Sequence, residues 1–482
     1  MDLITILLAL LRWGIPALVG GIAVSLLLTL AYVVYKKVFH GKKSVTKMQA
    51  VCMALLCCWL LLVLGLTSLS RGANYTGEIN IDFFSGYINA WNKWSISELQ
   101  LILFNMLMFA PLGFLLPLLW KRAEKIGTTL AVSMGLTTLI EVTQLFTGTG
   151  IFELDDLFHN SIGSLFGYFC IMAILQPIRE KTIRFAPVAK VLAIPCAVCL
   201  TLGAVFFVYD QQPYGNMAIL PAVKQDMSAV QIAAELSLSD QAATASVYQN
   251  KYAEDDTYIE NIRLGFGKLE NLTFSALTRR ESENYVYTGT DANGNEFQMN
   301  FFFRSGQWTY TTYAENAATL TAETAEQYRN HYEAWMKEND LLPDNAVFSV
   351  QNNNTLRWET APSQNGSADD RAFQSGSVMM QLDENGTLID LSYQISWNEY
   401  VATEDVISPK EAYAQVEDGN FEQYVPFQQG DVLHIEKCEL DYIYDTKGFY
   451  QPVYQFTGYI NSTESLWVCQ IPALAGNFRQ AS

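Results

Sequence analysis

Six segments of about 20 apolar residues, near 14–35, 48–69, 99–119, 126–147, 157–176 and 187–209, constrain this chain more than any other feature. Hydrocarbon offers backbone N–H and C=O groups no partner, so a chain crosses it as helices or as a closed barrel, and segments of this length and continuity select helices. The first apolar stretch begins at Leu3, so residues 3–13 form either an interfacial segment or extra helix length. That stretch is long and lacks a basic n-region, which is not the pattern of a cleaved signal peptide.

Charge divides the chain. Residues 1–209 carry a net charge of +5 and residues 210–482 a net of −24, so a basic, Leu-rich membrane part precedes an acidic part rich in Tyr, Asn and Thr. An acidic surface argues against nucleic acid and against electrostatic docking on anionic lipid. The basic loops "KKVFHGKKSVTK" (36–47), "KRAEK" (121–125) and "REKTIR" (179–184) alternate with acidic or aromatic ones. By the positive-inside rule the basic loops are cytoplasmic, and six spans deliver residues 210 onward to the outside. Trp91 and Trp94, just before the third span, read as interfacial anchors. The expected architecture is an α-helical polytopic membrane bundle of about six transmembrane helices, followed by an extracytoplasmic α+β domain. The expected divisions are a membrane domain over 1–209 and two α+β subdomains over 210–340 and 341–482.

Polar residues inside the spans share a depth. Asn105 lies about six residues, or ~9 Å at 1.5 Å per residue, below the outer surface. Glu141 falls at the same depth in the fourth span, Gln144 is one turn shallower, Asn160 stands at the mouth of the fifth span and Arg71 ends the second. A carboxylate facing lipid is penalised by several kcal/mol, so Glu141 faces the bundle interior or a water-filled cavity. Two readings stay open: interhelical hydrogen bonds that glue the bundle, or an outward-facing polar pocket with Glu141 paired to Arg71. Asp155 or Asp156 caps the fifth span at its positive end. "GSLFG", from Gly163 to Gly167, is a small-xxx-small pattern that admits a close helix, and Pro111 and Pro117 should bend the third span. His159 is a candidate base or ligand, but the membrane half has no other histidine except His40 in a basic loop, which excludes a multi-His metal site. Glu153, Asp155 and Asp156 read as a solvated acidic loop. No metal or other cofactor is expected.

"NMLMFAPLGF" (105–114), "EVTQ" (141–144) and "LDDLFHNSIG" (154–163), in that order, resemble the VanZ-like family of bacterial membrane proteins over roughly residues 20–180. The resemblance implies a polytopic protein of the cell envelope, some of whose members give low-level resistance to the lipoglycopeptide teicoplanin. It brings no established chemistry. The family often has Asp where Glu153 stands and Arg about where Thr149 stands; if that Arg contacts a ligand, Arg71 is the candidate to replace it here.

In the acidic half, 284–304 reads as a hairpin around Asn293–Gly294, 321–339 as an amphipathic helix and 379–395 as a second hairpin. "SPKEAYA" (408–414) opens a short helix with Ser408 as cap, and strand-like runs follow at 432–445, 449–460 and 465–474. The run from Ser408 through "YQPVYQF" (450–456) to "IPAL" (471–474) resembles extracytoplasmic PepSY-like or YycI-like α+β modules, which implies binding or regulation. Cys438 and Cys469 are the two cysteines here and form a disulfide only if the fold brings them together. His331 and His434 stand in no catalytic motif.

Three functions fit. The first is binding and protection at the outer leaflet, acting on a lipid-linked cell-wall precursor or a lipoglycopeptide. The second is a membrane-embedded enzyme with Glu141 as base and Asp155 or Asp156 assisting. The third is a membrane-anchored sensor whose residues 210–482 meet an envelope protein. The candidate pocket comprises Arg71, Asn105, Glu141, Gln144, Asp155, Asp156 and Asn160; no catalytic residue is assigned.

Overall fold

The computed structural model describes residues 3–69, 79–180, 185–234, 236–276, 279–280, 284–312, 317–360, 372–423 and 425–476. The chain divides into two compact units, one of Met1–Ala90 with Ser95–Gln212, the other of Trp91–Trp94 with Pro213–Ser482.

The first unit is helical: α1 (Leu3–Lys37), α2 (Lys47–Leu64), α3 (Ser85–Asn92), α4 (Ile96–Met108), α5 (Ala110–Leu119), α6 (Ile126–Thr147), α7 (Leu154–Glu180) and α8 (Phe185–Gln211). A short parallel pair joins β1 (Ile79–Asn80) to β2 (Phe152–Glu153). Six stretches, with α4 and α5 counted as one, are long and apolar enough to cross a membrane. Residues 3–13 continue α1 as extra length.

The third span is broken where proline dictates. Pro111 has no N–H, α4 stops at Met108, and Phe109 (φ −92°, ψ −4°) joins it to α5. The Met108 carbonyl left out of the helical ladder accepts a hydrogen bond from Trp59 Nε1 at 2.7 Å. Phe109 is fully buried and meets Trp59 edge to face, with ring centroids 5.4 Å apart. Pro117, in contrast, stays inside α5.

α7 packs on α4 and α5 through missing side chains. A Cβ on Gly163 would stand 1.5 Å from the Met106 carbonyl oxygen, and one on Gly167 would stand 1.9 Å from that of Ala110. From the other side, a Cβ on Gly113 would stand 1.8 Å from the Ser164 carbonyl oxygen. The helices therefore meet backbone to backbone, as the small-xxx-small run predicts.

The second unit is β-rich. Its strands are β3 (Gln231–Ala234), β4 (Ala243–Asn250), β5 (Thr273–Phe274), β6 (Arg279–Arg280), β7 (Asn284–Thr290), β8 (Glu296–Phe302), β9 (Gln307–Thr312), β10 (Val347–Gln351), β11 (Thr355–Thr360), β12 (Ala372–Leu382), β13 (Leu388–Tyr393), β14 (Ser396–Val406), β15 (Val432–Tyr444), β16 (Phe449–Ile460) and β17 (Leu466–Pro472). Three helices accompany them, α9 (Asp256–Leu269), α10 (Ala322–Glu338) and α11 (Pro409–Glu417). β12 belongs to two lobes: residues 372–375 pair with β14, and residues beyond Gly376 pair with β11 and β13. Gly376, at φ +116° and with the Gln394 carbonyl 2.1 Å from where a Cβ would stand, is where the strand changes partners.

Each lobe has its own core. In the first, α9 and α10 press Phe266, Tyr332, Trp335 and Met336 against Trp308 and Tyr310. Each fully buried large apolar side chain of this kind contributes roughly 1.5–3 kcal/mol. In the second, α11 seats Ala412 and Val416 with Phe421 against β15, β16 and β17. The sequence-predicted hairpins are β7–β8 and β12–β13, the amphipathic helix is α10, and Ser408 and Glu411 form the capping box of α11.

Cys438 and Cys469 are both opposite Phe456, one on each side of β16. They are separated by two strand spacings, about 9–10 Å, beyond the roughly 7 Å Cα limit for a disulfide. Both are free thiols, and burial pushes the Cys438 thiol up to about 11 and the Cys469 thiol up as well.

Two tests follow from these contacts. Gly163→Ala should destabilise the detergent-solubilised protein by about 1–3 kcal/mol through overpacking. Gly135→Ala, where nothing lies within 4 Å, should be neutral or stabilising by about 0.5–1 kcal/mol; equal thermal stabilities for the two would refute the close packing. Cys438 and Cys469 should alkylate slowly in the native protein and show no linked peptide under non-reducing mass spectrometry.

Candidate functional site

The polar residues within the membrane unit converge on the first two turns of α7. Asp155 is 4% exposed, and its carboxylate accepts backbone N–H bonds from Phe84 (2.7 Å) and Gly86 (3.0 Å). It thus caps α3, a different helix from its own, and Phe84 takes a left-handed backbone (φ +68°) to present its N–H. Asn80 Nδ2 donates to Ser85 Oγ at 2.8 Å and shapes the same turn.

Asp156 turns the other way. Its Oδ1 accepts from Asn105 Nδ2 of α4 at 2.8 Å and lies 3.8 Å from His159 Nδ1. His159 is buried, and its Nε2 is 2.7 Å from the Tyr87 hydroxyl of α3. Burial, with Asp155 nearby, pushes the Tyr87 phenol up to about 12. Asn160 Nδ2 donates to Thr137 Oγ1 of α6 at 2.7 Å.

α6 holds the remaining groups. Glu141 is 3% exposed, and its Oε2 accepts from the Glu153 backbone N–H at 3.4 Å. Gln144 Nε2 donates to the Thr67 carbonyl at 2.8 Å. Thr67 lies in a π-helical turn (Gly65–Leu69) that ends α2, where the shifted ladder leaves a carbonyl for an outside donor.

Of the seven predicted pocket residues, six therefore gather at one end of the helical unit, and Arg71 lies outside the described residues. They are interlocked: Glu141, Gln144, Asp155 and Asn160 are buried, while Asn105 and Asp156 keep partial exposure. Thr149 bonds Thr147 Oγ1 through its own hydroxyl at 2.9 Å. Sequence reasoning missed Tyr87, Thr137 and Thr67. Thr137 stands one turn before Glu141 on the same face and was readable from spacing; nothing around Tyr87 in the sequence points to His159. Among the described residues, no group of three His, Cys, Asp or Glu side chains is placed to hold a metal ion.

Residues 50–176, which run from α2 through most of α7 and hold this whole array, match the VanZ/LLP1 family. The membrane unit is a VanZ-like domain. Over those residues the chain resembles that family; as a whole it carries six helices long and apolar enough to cross a membrane, followed by an α+β unit. No curated protein matches the sequence. Two solved structures are similar in part. One is an uncharacterized protein from Eubacterium rectale, 12% identical, with 53% of this chain and 91% of that one covered and a TM-score of 0.25. The other is the Bacillus megaterium YpeB C-terminal domain, 15% identical, with 47% and 95% covered and a TM-score of 0.21. Likenesses at that level assign neither fold nor role to this chain.

The adjacent aspartates should tolerate amidation unequally. Asp155→Asn retains one acceptor oxygen for two N–H donors and should cost about 1.5–3 kcal/mol. Asp156→Asn still accepts from Asn105 and should cost much less. Thermal unfolding in detergent checks the order, and a reversed order would refute the capping of α3 by Asp155.

Proposed function

We propose that the VanZ-like unit binds the polar head of a lipid-linked envelope ligand or lipoglycopeptide at the outer leaflet and thereby protects against teicoplanin. The observation that carries this reading is the partly exposed Asn105–Asp156 pair, with Asp156 25% exposed, backed by buried polar groups of α3, α6 and α7. An amide donor and a carboxylate at a membrane-protein surface suit hydroxyl- and amide-bearing headgroups. Lys36 and Lys37 end α1, Lys121, Arg122 and Lys125 separate α5 from α6, and Arg179 ends α7. Those basic positions lie at the opposite helix ends from the α6–α7 connection, which supports an external site and an external C-terminal unit.

The enzymatic alternative rests on the order Asp156, His159, Tyr87, in which an acid could orient a base toward a hydroxyl. The burial of His159, 2% exposed with its Nε2 already engaged by Tyr87, works against it, because such a base has no open path to a substrate. Glu141, the earlier candidate base, is buried behind the Glu153 backbone. Binding is therefore the favoured reading. A groove of about 760 Å³ beside β17, lined by Trp467, Phe427 and Asp431 among others, offers an envelope-protein partner a place in the C-terminal unit.

The test is susceptibility of a sensitive Gram-positive host carrying empty vector, the wild-type chain or an Asn105→Ala/Asp156→Ala variant at matched membrane levels. Protection against teicoplanin but not vancomycin, lost in the variant, is the expected result. Equal susceptibility of wild type and empty vector would refute the reading.

A further inference from the structure

α6 is built inside out. Its buried face consists of Thr129, Ser133, Thr137, Glu141 and Gln144 with only Ile140 among them, whereas Met134, Leu139 and Phe146 are exposed. From Thr129 to Gln144 this polar face covers about 22 Å at 1.5 Å per residue, most of a hydrocarbon core. An interior-facing row of this kind in a membrane helix is costly unless each group is satisfied.

α7 answers the Thr129–Thr137 stretch of α6. The two helices run antiparallel, since Asn160 near the start of α7 meets Thr137, while Tyr168 OH donates to the carbonyl of Glu124, just before α6. One turn along both helices from the Thr137–Asn160 pair places Ser133 at the level of Ser164. A further turn places Thr129 at the level of Tyr168. The glycines of α7 face α4 and α5 instead, so this polar row is a second, separate face of the helix.

The middle of the seam is unsatisfied. Ser133 Oγ, Ser164 Oγ and Asn160 Oδ1 are buried atoms with no hydrogen-bond partner in the protein, and both serines are fully buried. Two hydroxyls and an amide oxygen within one turn are the polar lining that bound water needs. Carboxylates stand at both ends. Glu141, with the Glu153 N–H on its oxygen, closes one end. Glu124, ion-paired to Arg179 at 2.6 Å, closes the other.

We propose that the α6–α7 seam holds bound water at the Ser133–Ser164 level and passes protons between Glu141 and the Glu124 end. A proton adds to the Glu141 carboxylate, exchanges along hydroxyls and water by making and breaking O–H bonds, and leaves at the far mouth. Every carrier ends as it began, and no oxidant, reductant or co-substrate is needed. The activity stands apart from headgroup binding and does not depend on it.

The test reconstitutes the full chain into vesicles enclosing a pH-sensitive dye, with a valinomycin-clamped potassium gradient as driving force. Wild-type vesicles should acidify several-fold faster than protein-free ones. The Ser133→Ala/Ser164→Ala double variant should fall to the protein-free rate, and Ser133→Thr, which keeps the hydroxyl, should retain flux. Size-exclusion elution and matched incorporation establish that each variant is folded. A wild-type rate equal to protein-free vesicles, undiminished flux in the double alanine variant, or loss in the threonine variant would each overturn the proposal.

Discussion

A polar group inside a bilayer must find its partner within the protein, and the start of α7 is where this membrane unit meets that demand. Four positions in its first two turns serve three helices. Asp155 holds the backbone of α3, Asp156 the amide of Asn105 on α4, His159 the hydroxyl of Tyr87 on α3, and Asn160 the hydroxyl of Thr137 on α6. Successive helical residues point about 100° apart, so a short run can address neighbours on several sides. The glycines one and two turns further on let α7 sit close enough for these short side chains to reach. Polar hub and glycine face depend on each other, which places the candidate site and the stability of the bundle in the same few residues.

Much of this was legible beforehand because membrane depth is a strong sequence signal. Span lengths fix where each helix enters and leaves, so Asn105, Glu141, Gln144 and Asn160 could be placed at one level without coordinates. What depth does not fix is rotation about each helix axis and the path of the loops. Tyr87 and His159 are 72 residues apart, and Gln144 finds a backbone carbonyl, which has no signature in sequence at all. The break after Met108 was readable from Pro111; that Trp59 would take the freed carbonyl was not. The groups that bond between helices also leave Asn105 and Asp156 partly exposed.

In the β-rich unit the local signals were reliable for a comparable reason. Gly294 and Gly386 take positive φ in the turns of β7–β8 and β12–β13, and the Ser408 capping box starts α11. Long-range partnership was the hidden part. No local pattern shows that β12 changes partners at Gly376, or that β16 separates Cys438 from Cys469.

The strand order of that unit has a consequence for how the chain matures. β4 precedes the entire first lobe, yet its main partner is β14, which begins at Ser396, and it also touches β16. β3 lies beside β15 and must wait longer still. The first lobe can close on local hairpins while the opening strands of the second have nothing to pair with. During synthesis, residues 231–250 therefore present unpaired strand edges until about 150 to 200 further residues arrive, the interval in which a chain is most open to aggregation and proteolysis. The last strands to emerge complete a sheet begun by the first, so a chain cut short before β14 would retain one folded lobe and a sticky, unfinished second.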